Sequence, residues 1–456
     1  MRSALAGGGI YTRLVSSLFF PLHEHIKGHD TVRRLRELER SQWWERDRIL
    51  ALQSENLARF LKHAAVHSPF HAERFAACGF DPDSVTSASD LARLPLLSKA
   101  DIRGNFDRLG SAAAGKVRKM STGGSSGEPL TFLVGSGRVS HDVAAKWRAT
   151  RWWDVDIGDP EIVVWGSPIE LNSQDRVRLI RDAVFRTELL PAFDMSDKRL
   201  DDALARIRRR RPRMLFGYPS SLSLIARHAE NRGVAMTDLG IRVAFVTSER
   251  LYDDQRAAIA RVFGCPVANG YGGRDAGFLA HECPSGSLHL TAEDIVVEIV
   301  DPAGTPLPPG QAGEIVVTHL ATWDFPFVRY RTGDVGILSG AACACGRGLP
   351  VLASVEGRST DFVVTAEGSV MHGLGLIYVL RELPQVAAFR IVQENRLLTR
   401  VHVVPASGFD ETTRQSIVLG IRKRLGDAVQ VEVDVVGAIA PEKSGKFRYV
   451  VSHVRR

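Results

Sequence analysis

Short apolar runs alternate with helix-patterned stretches along most of this chain. Between about residues 28 and 78, leucines recur among arginines and glutamates at helical spacing, with Trp43 and Trp44 in the middle, so residues 1–78 are predicted to be mainly helical. From about residue 115 to 355 the pattern changes. Glu161-Ile162-Val163-Val164-Trp165, Met214-Leu215-Phe216, Val243-Ala244-Phe245-Val246 and Ile295-Val296-Val297-Glu298-Ile299-Val300 have strand length, with helical patterns among them. Such alternation predicts an α/β fold with parallel sheet content, β-sheet flanked by helices. Strands and Pro/Gly turns become denser near Gly313-Glu314-Ile315-Val316-Val317-Thr318. After Gly357 a strand–helix–strand tail follows (Phe389-Arg390-Ile391-Val392, a helix over about 411–425, Val429-Gln430-Val431-Glu432-Val433). The expected organisation is a large N-terminal domain over 1–356 and a small, mobile C-terminal α+β domain over 357–456.

Near the start, Leu14-Val15-Ser16-Ser17-Leu18-Phe19-Phe20-Pro21-Leu22 is short, ends beside a proline and lacks a small-residue cleavage site. It reads as a packing helix or an interfacial contact, not a signal peptide. No run approaches the roughly 18 apolar residues of a membrane span, and a cytoplasmic location is expected. The composition, 44% hydrophobic and 24% charged, is that of a globular protein. A formal net charge of +7 raises the question of nucleic acid. The densest basic run, Arg206-Ile207-Arg208-Arg209-Arg210-Arg211-Pro212-Arg213, closes a predicted helix over 198–211, where cations oppose the negative end of the dipole, and no aromatics interleave with it. It reads as a solvated helix end, and nucleic acid is not an expected partner.

The chemistry concentrates in five motifs. Ser121-Thr122-Gly123-Gly124-Ser125-Ser126-Gly127-Glu128-Pro129-Leu130 holds three glycines and four hydroxyls before a strand-like run. Glycines let several N–H groups turn toward an anion, and hydroxyls add short donors. Walker A loops have a lysine directly after the last glycine, where this chain has Glu128, so the expected phosphate loop is of another kind. The same residues fit G-x-S-x-G, with Ser125 as a hydrolase nucleophile, but that elbow needs a helix after the serine and a Pro and β-rich run follows. Gly270-Tyr271-Gly272-Gly273-Arg274-Asp275 brings an aromatic face, a flexible turn and an acid together. Tyr330-Arg331-Thr332-Gly333-Asp334 offers a carboxylate on a tight turn for ribose hydroxyls. Gly357-Arg358-Ser359-Thr360-Asp361 adds an Arg and an acid at the domain boundary, and Pro441-Glu442-Lys443-Ser444-Gly445-Lys446 places Lys446 on a Gly-Lys turn.

In this order the motifs resemble the adenylate-forming superfamily of acyl-CoA ligases, and within it the phenylacetate-CoA ligase-like branch often tied to capsule or exopolysaccharide genes. The similarity spans nearly the whole chain, including Phe216-Gly217-Tyr218-Pro219-Ser220-Ser221-Leu222. The resemblance implies the adenylate-forming enzyme fold. It implies ATP phosphates held by Thr122, Gly123, Gly124, Ser125, Ser126 and Gly127, and adenine lined by Asn269, Gly270 and Gly272 with Tyr271 stacked on it. Asp334 would bind the ribose, Asp275 would help hold Mg²⁺, Arg358 would contact the nucleotide near the hinge, and Lys446 would bridge carboxylate and α-phosphate. The implied partners are ATP, a small-molecule carboxylic acid, and CoA or an amine such as an amino sugar as acyl acceptor; a homodimer is left open. Two residues depart from the pattern. Asp275 stands where the family has Glu, one methylene longer, so direct Mg²⁺ ligation needs a shift of that turn or a bridging water. Thr360 stands where the hinge has Asp, with Asp361 next. A non-catalytic nucleotide binder would keep Tyr271 and Asp334 without needing Lys446. The residues around Tyr218, Trp165 and Thr247-Ser248-Glu249 are expected to border the acid.

Five cysteines lie at 78, 265, 283, 343 and 345. In a cytosolic chain they are buried thiols or metal ligands rather than disulfides. Cys343-Ala344-Cys345 before Gly346 is a ligand-like knuckle, and Cys283 lies near His281 and His289. His289 alternates with apolar neighbours and can point one way with Cys283, so Cys283, His289, Cys343 and Cys345 are the preferred set for a closed structural Zn²⁺ site, with His281 as the other histidine.

Overall fold

The computed structural model describes residues 9–122, 130–165, 176–192, 197–358, 362–368, 370–440 and 448–454. The chain divides into two compact units, Met1–Glu356 and Gly357–Arg456. In the first, the described strands form an 11-stranded sheet in the order Ile295–Val300, Ala312–His319, Tyr330–Ser339, Val351–Arg358, Leu288–Leu290, Gly277–Glu282, Val267–Gly273, Val243–Thr247, Met214–Gly217, Glu161–Trp165, Thr187–Pro191. From Thr187–Pro191 to Val267–Gly273 neighbouring strands run parallel. At Gly277–Glu282 the pairing turns antiparallel.

Strands Met214–Gly217 and Val243–Thr247 are buried along their whole length. Successive side chains of a strand point to opposite faces. Leu215, Ala244 and Val246 meet one apolar cluster with the helices Asp197–Arg210, Pro219–Asn231 and Asp253–Phe263. Met214, Phe216, Val243 and Phe245 meet another with Ala149 of the helix Ser136–Arg151. Parallel strands covered on both faces therefore read as unbroken apolar runs. In Asp197–Arg210 the buried residues are Leu200, Ala203, Leu204 and Ile207, one stripe at helical spacing. Its arginine-rich end is partly paired: Arg210 Nε reaches Glu188 at 2.6 Å and Arg208 donates to the Ala235 carbonyl at 2.6 Å.

The early part is helical, as its pattern predicts: Ile10–Ile26, with a π-helical turn over Val15–Phe19, then Thr31–Ser41, Arg46–His67 and Pro69–Ala77. Arg148, fully buried, joins three of the pieces. Its Nη1 donates to Glu293 Oε1 at 2.7 Å, and Ser41 Oγ donates to the same oxygen at 2.6 Å. In the second unit a 4-stranded sheet runs Gln430–Val435, Leu398–Pro405, Val386–Asn395, Val450–Ser452. The helix Glu411–Leu425 connects parallel Leu398–Pro405 and Gln430–Val435, and the Asp410 side chain caps its start by accepting from Thr413 N at 2.8 Å.

Breaking a buried ion pair by removing one partner leaves an uncompensated charge. Glu293→Ala should therefore lower unfolding free energy by about 3–5 kcal/mol, read from the urea midpoint. A change within about 1 kcal/mol would mean that Arg148 is neutralised some other way.

Candidate functional site

In open α/β sheets, ligands bind beyond the carboxyl ends of the parallel strands. Register brings Val164, Gly217, Val246 and Asn269 into one row across four of them. Trp165, Tyr218, Ser248 and Tyr271 lie at or just past that row. Trp165 and Tyr218 stack with centroids 4.4 Å apart and planes at 25°. The Ser220 N–H donates to Glu249 Oε2 at 3.2 Å, and Ser248 takes a left-handed φ of 71° where the chain leaves its strand.

Gly270 through Gly273 belong to the strand Val267–Gly273, and the turn begins only at Arg274. Gly272 sits where a Cβ would come within 2.1 Å of the Gly277 carbonyl oxygen, so the tight return to Gly277–Glu282 excludes any side chain there. Tyr271 donates its hydroxyl to Asp334 Oδ2 at 2.9 Å. Burial, and then the Asp334 charge, holds its pKa well above the usual phenol value, so it remains a donor. Asp334 lies inside the strand Tyr330–Ser339 and not on the tight turn that its sequence predicts; a register shift between Glu314 and Val316, with Gly333 at φ 79°, distorts this part of the ladder. From the head of that strand, fully buried Tyr330 donates to Asp275 Oδ2 at 2.6 Å, while Asp275 Oδ1 accepts from Ala276 N at 3.1 Å. The tyrosine of each motif thus bonds the acid of the other.

Behind this pair stands Arg138, buried on the helix Ser136–Arg151. Its guanidinium reaches the carbonyls of Asp275 and Arg274, each at 3.3 Å, and Asp142 Oδ2 at 2.9 Å. Burial works to raise the Asp142 carboxyl, but Arg138, His141 and His319 outweigh it and hold the group well below the usual range. His141, Asp142 and His319 bring their ligand atoms within 4.8 Å of one another. However, His319 Nδ1 accepts from Ala321 N at 3.3 Å, which puts the ring proton on Nε2, the atom turned toward Asp142. The group is therefore arranged to orient Arg138 rather than to ligate a metal.

Thr122 closes the base of the glycine-rich loop: its N–H donates to the Leu130 carbonyl and its Oγ1 accepts from Leu130 N, both at 2.9 Å. Arg274 donates to the Ser121 carbonyl at 3.4 Å, which brings this base next to the Asp275 turn. Gly123, Gly124, Ser125, Ser126 and Gly127 lie outside the described residues, as do Thr360, Asp361 and Lys446; the strand Val351–Arg358 ends at Arg358, whose side chain is also outside them. Thr131–Gly135, after the loop, is a strand antiparallel to Val117–Ser121. A nucleophile elbow needs a helix there, so the hydrolase reading of Ser125 is set aside.

The second cluster is built from two turns. Cys283 heads the turn into Leu288–Leu290, and Cys343 and Cys345 lie on the connection before Val351–Arg358. Ligand atoms of Cys283, His289, Cys343 and Cys345 all lie within 4.8 Å of one another. Cys283 Sγ and Cys343 Sγ are 3.7 Å apart, and Cys345 Sγ is 3.2 Å from His289 Nε2. A tetrahedral zinc with Zn–S of about 2.3 Å needs sulfurs about 3.8 Å apart. His289 Nδ1 donates to the Leu349 carbonyl at 3.2 Å, which leaves Nε2 as the lone-pair nitrogen facing the thiols. Burial lowers its pKa to about 4, so the ring is in its ligand form. His281, opposite His289 in register, is not among these atoms; it is buried against Phe278 and Phe245, with neither ring nitrogen hydrogen-bonded.

Residues 189–322 match the AMP-binding enzyme family and residues 363–453 the CapK C-terminal domain family. Protein CapK of Staphylococcus aureus is 22% identical over 438 residues, covering 94% of this chain and 92% of that protein. Phenylacetate-coenzyme A ligase of Pseudomonas putida is 26% identical over 415 residues, covering 86% and 92%. The crystal structure of 2-hydroxyisobutyryl-CoA ligase in complex with 2-HIB-AMP superposes with a TM-score of 0.71 at 20% identity, covering 88% of each chain. These matches support the adenylate-forming superfamily that the motifs resemble. The chain's fold is the superfamily's, a large α/β unit and a smaller α+β unit. Within that fold the residues singled out from the sequence separate into groups. Tyr271, Asp275 and Asp334 meet at one place, with Thr122 near them and Asn269, Gly270 and Gly272 on the strand that carries Tyr271. The cysteines and His289 meet at another. Tyr330 and Arg138 did not emerge from the sequence as site residues. Arg138 and Asp142 form an i, i+4 charge pair on a helix, which is a visible signal but one shared by many solvated pairs.

Proposed function

We propose that this chain is an AMP-forming ligase that activates a carboxylic acid with ATP and passes the acyl group to CoA. The observation that carries the reading is the crossed pairing of Tyr271 with Asp334 and Tyr330 with Asp275 at the carboxyl ends of the parallel strands, beside the base of the glycine-rich loop. The relatives named phenylacetate-coenzyme A ligase support it. A carboxylate is a poor acyl donor because oxide would have to leave. Attack of its oxygen on the α-phosphorus forms the acyl–AMP bond and breaks the bond to pyrophosphate. The CoA thiol then gives up its proton, forms the thioester and expels AMP. Such phosphoryl chemistry depends on positioning and charge neutralisation. In this reading Tyr271 offers its face to adenine. Asp334 accepts from the ribose hydroxyls as well as from Tyr271, since a carboxylate has about four acceptor sites. Thr122 to Gly127 donate to phosphate oxygens, Arg358 contacts the nucleotide, and Lys446 supplies the cation for adenylation.

Asp275 fits an outer role toward Mg²⁺: each oxygen already accepts one hydrogen bond and retains acceptor capacity, which suits contact through a bound water. The ion would neutralise phosphate charge. The donors Cys283, His289, Cys343 and Cys345 fit Zn²⁺ in number, spacing and tautomer, and with four protein ligands the ion would clamp the fold.

ATP–pyrophosphate exchange, screened over aromatic, fatty and sugar acids, tests the first half-reaction. CoA and amines offered with the best acid then test the acceptor, with thioester expected. No exchange with any acid would overturn the reading. Lys446→Ala should abolish adenylation yet leave thioester formation from supplied acyl-AMP largely intact; equal loss of both would remove its assigned role. Asp275→Asn should raise the Mg²⁺ concentration for half-maximal exchange, because a neutral amide is a weaker partner for a hard cation, whereas Asp275→Glu should be tolerated. An unchanged Mg²⁺ dependence in the Asn variant would leave Asp275 only its place in the turn. Elemental analysis should find about one zinc per chain, and Cys345→Ser should lower both zinc content and melting temperature. Metal-free, fully folded wild-type protein would exclude the site.

A further inference from the structure

The helix Ile10–Ile26 leaves a row of large apolar side chains in solvent. Ile10, Leu14, Leu18, Leu22 and Ile26 recur every four residues, with Tyr11 and Phe19 beside them; Ile10 is 90% exposed, Leu18 54%, Leu22 52% and Ile26 75%. Single exposed leucines are ordinary, but a contiguous stripe marks an interaction surface. In a regular α-helix each four-residue step advances about 40°, so the row would wind away around the axis. The π-helical turn Val15–Phe19 holds more residues per turn and takes up part of that drift. The helix is secured by its other side. Thr12, Val15, Phe20 and Glu24 are buried, Thr12 Oγ1 donates to Asp159 at 2.8 Å, and Phe20 meets Phe185 edge-on at 6.0 Å.

The exposed charges on this helix have one sign. Arg13 and Lys27 are exposed, and the single acid between residues 9 and 29, Glu24, is buried with Thr31, His23 and His29. The helix Arg176–Val184 touches this one where the Tyr11 hydroxyl donates to the Val184 carbonyl at 2.8 Å, and it adds the exposed Ile180 and a half-buried Arg181 that pairs with Asp182 at 2.5 Å. Burial, and then the charge of Arg181, depresses the Lys27 ammonium, so the cations are near enough to repel.

We propose that Ile10–Ile26 is an interfacial anchor that lays its apolar stripe into the headgroup region of an anionic lipid membrane. A helix with an apolar face, flanking cations and no exposed acid binds in the plane of such a surface, where anionic headgroups meet the cations. Among the described residues no helix is long and apolar enough to cross a membrane, so the contact is peripheral. A second copy seated on the same stripe would bring Arg13 and Lys27 up to the same cations of its partner, because a twofold interface is built from the same patch on both chains. Charge therefore favours lipid.

The whole chain, mixed with vesicles of phosphatidylcholine alone or with phosphatidylglycerol added, should sediment with the anionic vesicles, less so at high salt, and poorly with the neutral ones. Leu18→Glu/Leu22→Glu should lower the partition coefficient roughly tenfold or more. Arg13→Glu/Lys27→Glu should weaken binding to anionic vesicles. These side chains are exposed, so both variants should melt with the wild type and keep its ATP–pyrophosphate exchange in solution, which separates this test from that of the adenylation reading. Absence of binding to either vesicle, or equal binding by Leu18→Glu/Leu22→Glu, would overturn the proposal. So would a wild-type dimer in solution that the same variant dissociates, which would assign the stripe to a second copy.

Discussion

Arg138 carries a full charge in a place with almost no water, and such a charge is tolerated only when its donors are all directed at acceptors. Asp142 neutralises it from one turn further along the same helix, and the carbonyls of Arg274 and Asp275 take its remaining reach. The turn Arg274–Ala276 is thereby tied to the helix Ser136–Arg151, and Asp275 is presented to Tyr330. Gly277 completes the constraint. A Cβ there would come within 2.9 Å of Arg138 and 2.7 Å of His319, so helix, turn and strand close on one another without room for a side chain.

The sheet changes character at the same point. Up to Val267–Gly273 its strands are parallel, and their carboxyl ends form a common edge; beyond it, hairpin returns dominate. Tyr271 is the last large side chain of the parallel part, and Asp334 reaches it from the antiparallel part. Arg329 prepares that approach. It is buried in a left-handed conformation at φ 53°, pairs with Glu298 at 2.9 Å and donates to the Gly304 carbonyl, which fixes where Tyr330 begins its strand. Tyr271 and Asp334 thus stand on backbone whose course is set by buried guanidiniums.

The cysteine–histidine cluster treats the other end of the antiparallel region in a similar way. Two connections with little apolar content of their own, 283–287 and 340–350, are brought together at four soft or borderline donors. Cys345 N donates to Cys343 Sγ at 3.4 Å, a contact that favours a thiolate there. Four donors gathered between such connections are the arrangement on which the proposed zinc site rests.

By itself the sequence determined the element types and the kinds of chemistry. Strand-length apolar runs marked the parallel strands because both of their faces are covered, and helical spacing marked about 28–78 and 411–425, where the helices lie. The Tyr271 and Asp334 motifs and Cys343-Ala344-Cys345 stood out because each is local and chemically unusual. Tertiary structure alone decided the pairings. His281 and His289 stand opposite each other in register, and the contacts of His289 with the Leu349 carbonyl and the Cys345 thiol, which His281 lacks, separate them in space. Asp334 was read as a turn acid because Gly333 precedes it, and the register shift that keeps it in a strand depends on a partner strand with which its own segment carries no mark of pairing. Tyr330 and Arg138 escaped notice for the same reason. Their function rests on groups 55 and 137 positions away along the chain, and a local pattern carries no information about contacts that only the closed sheet creates.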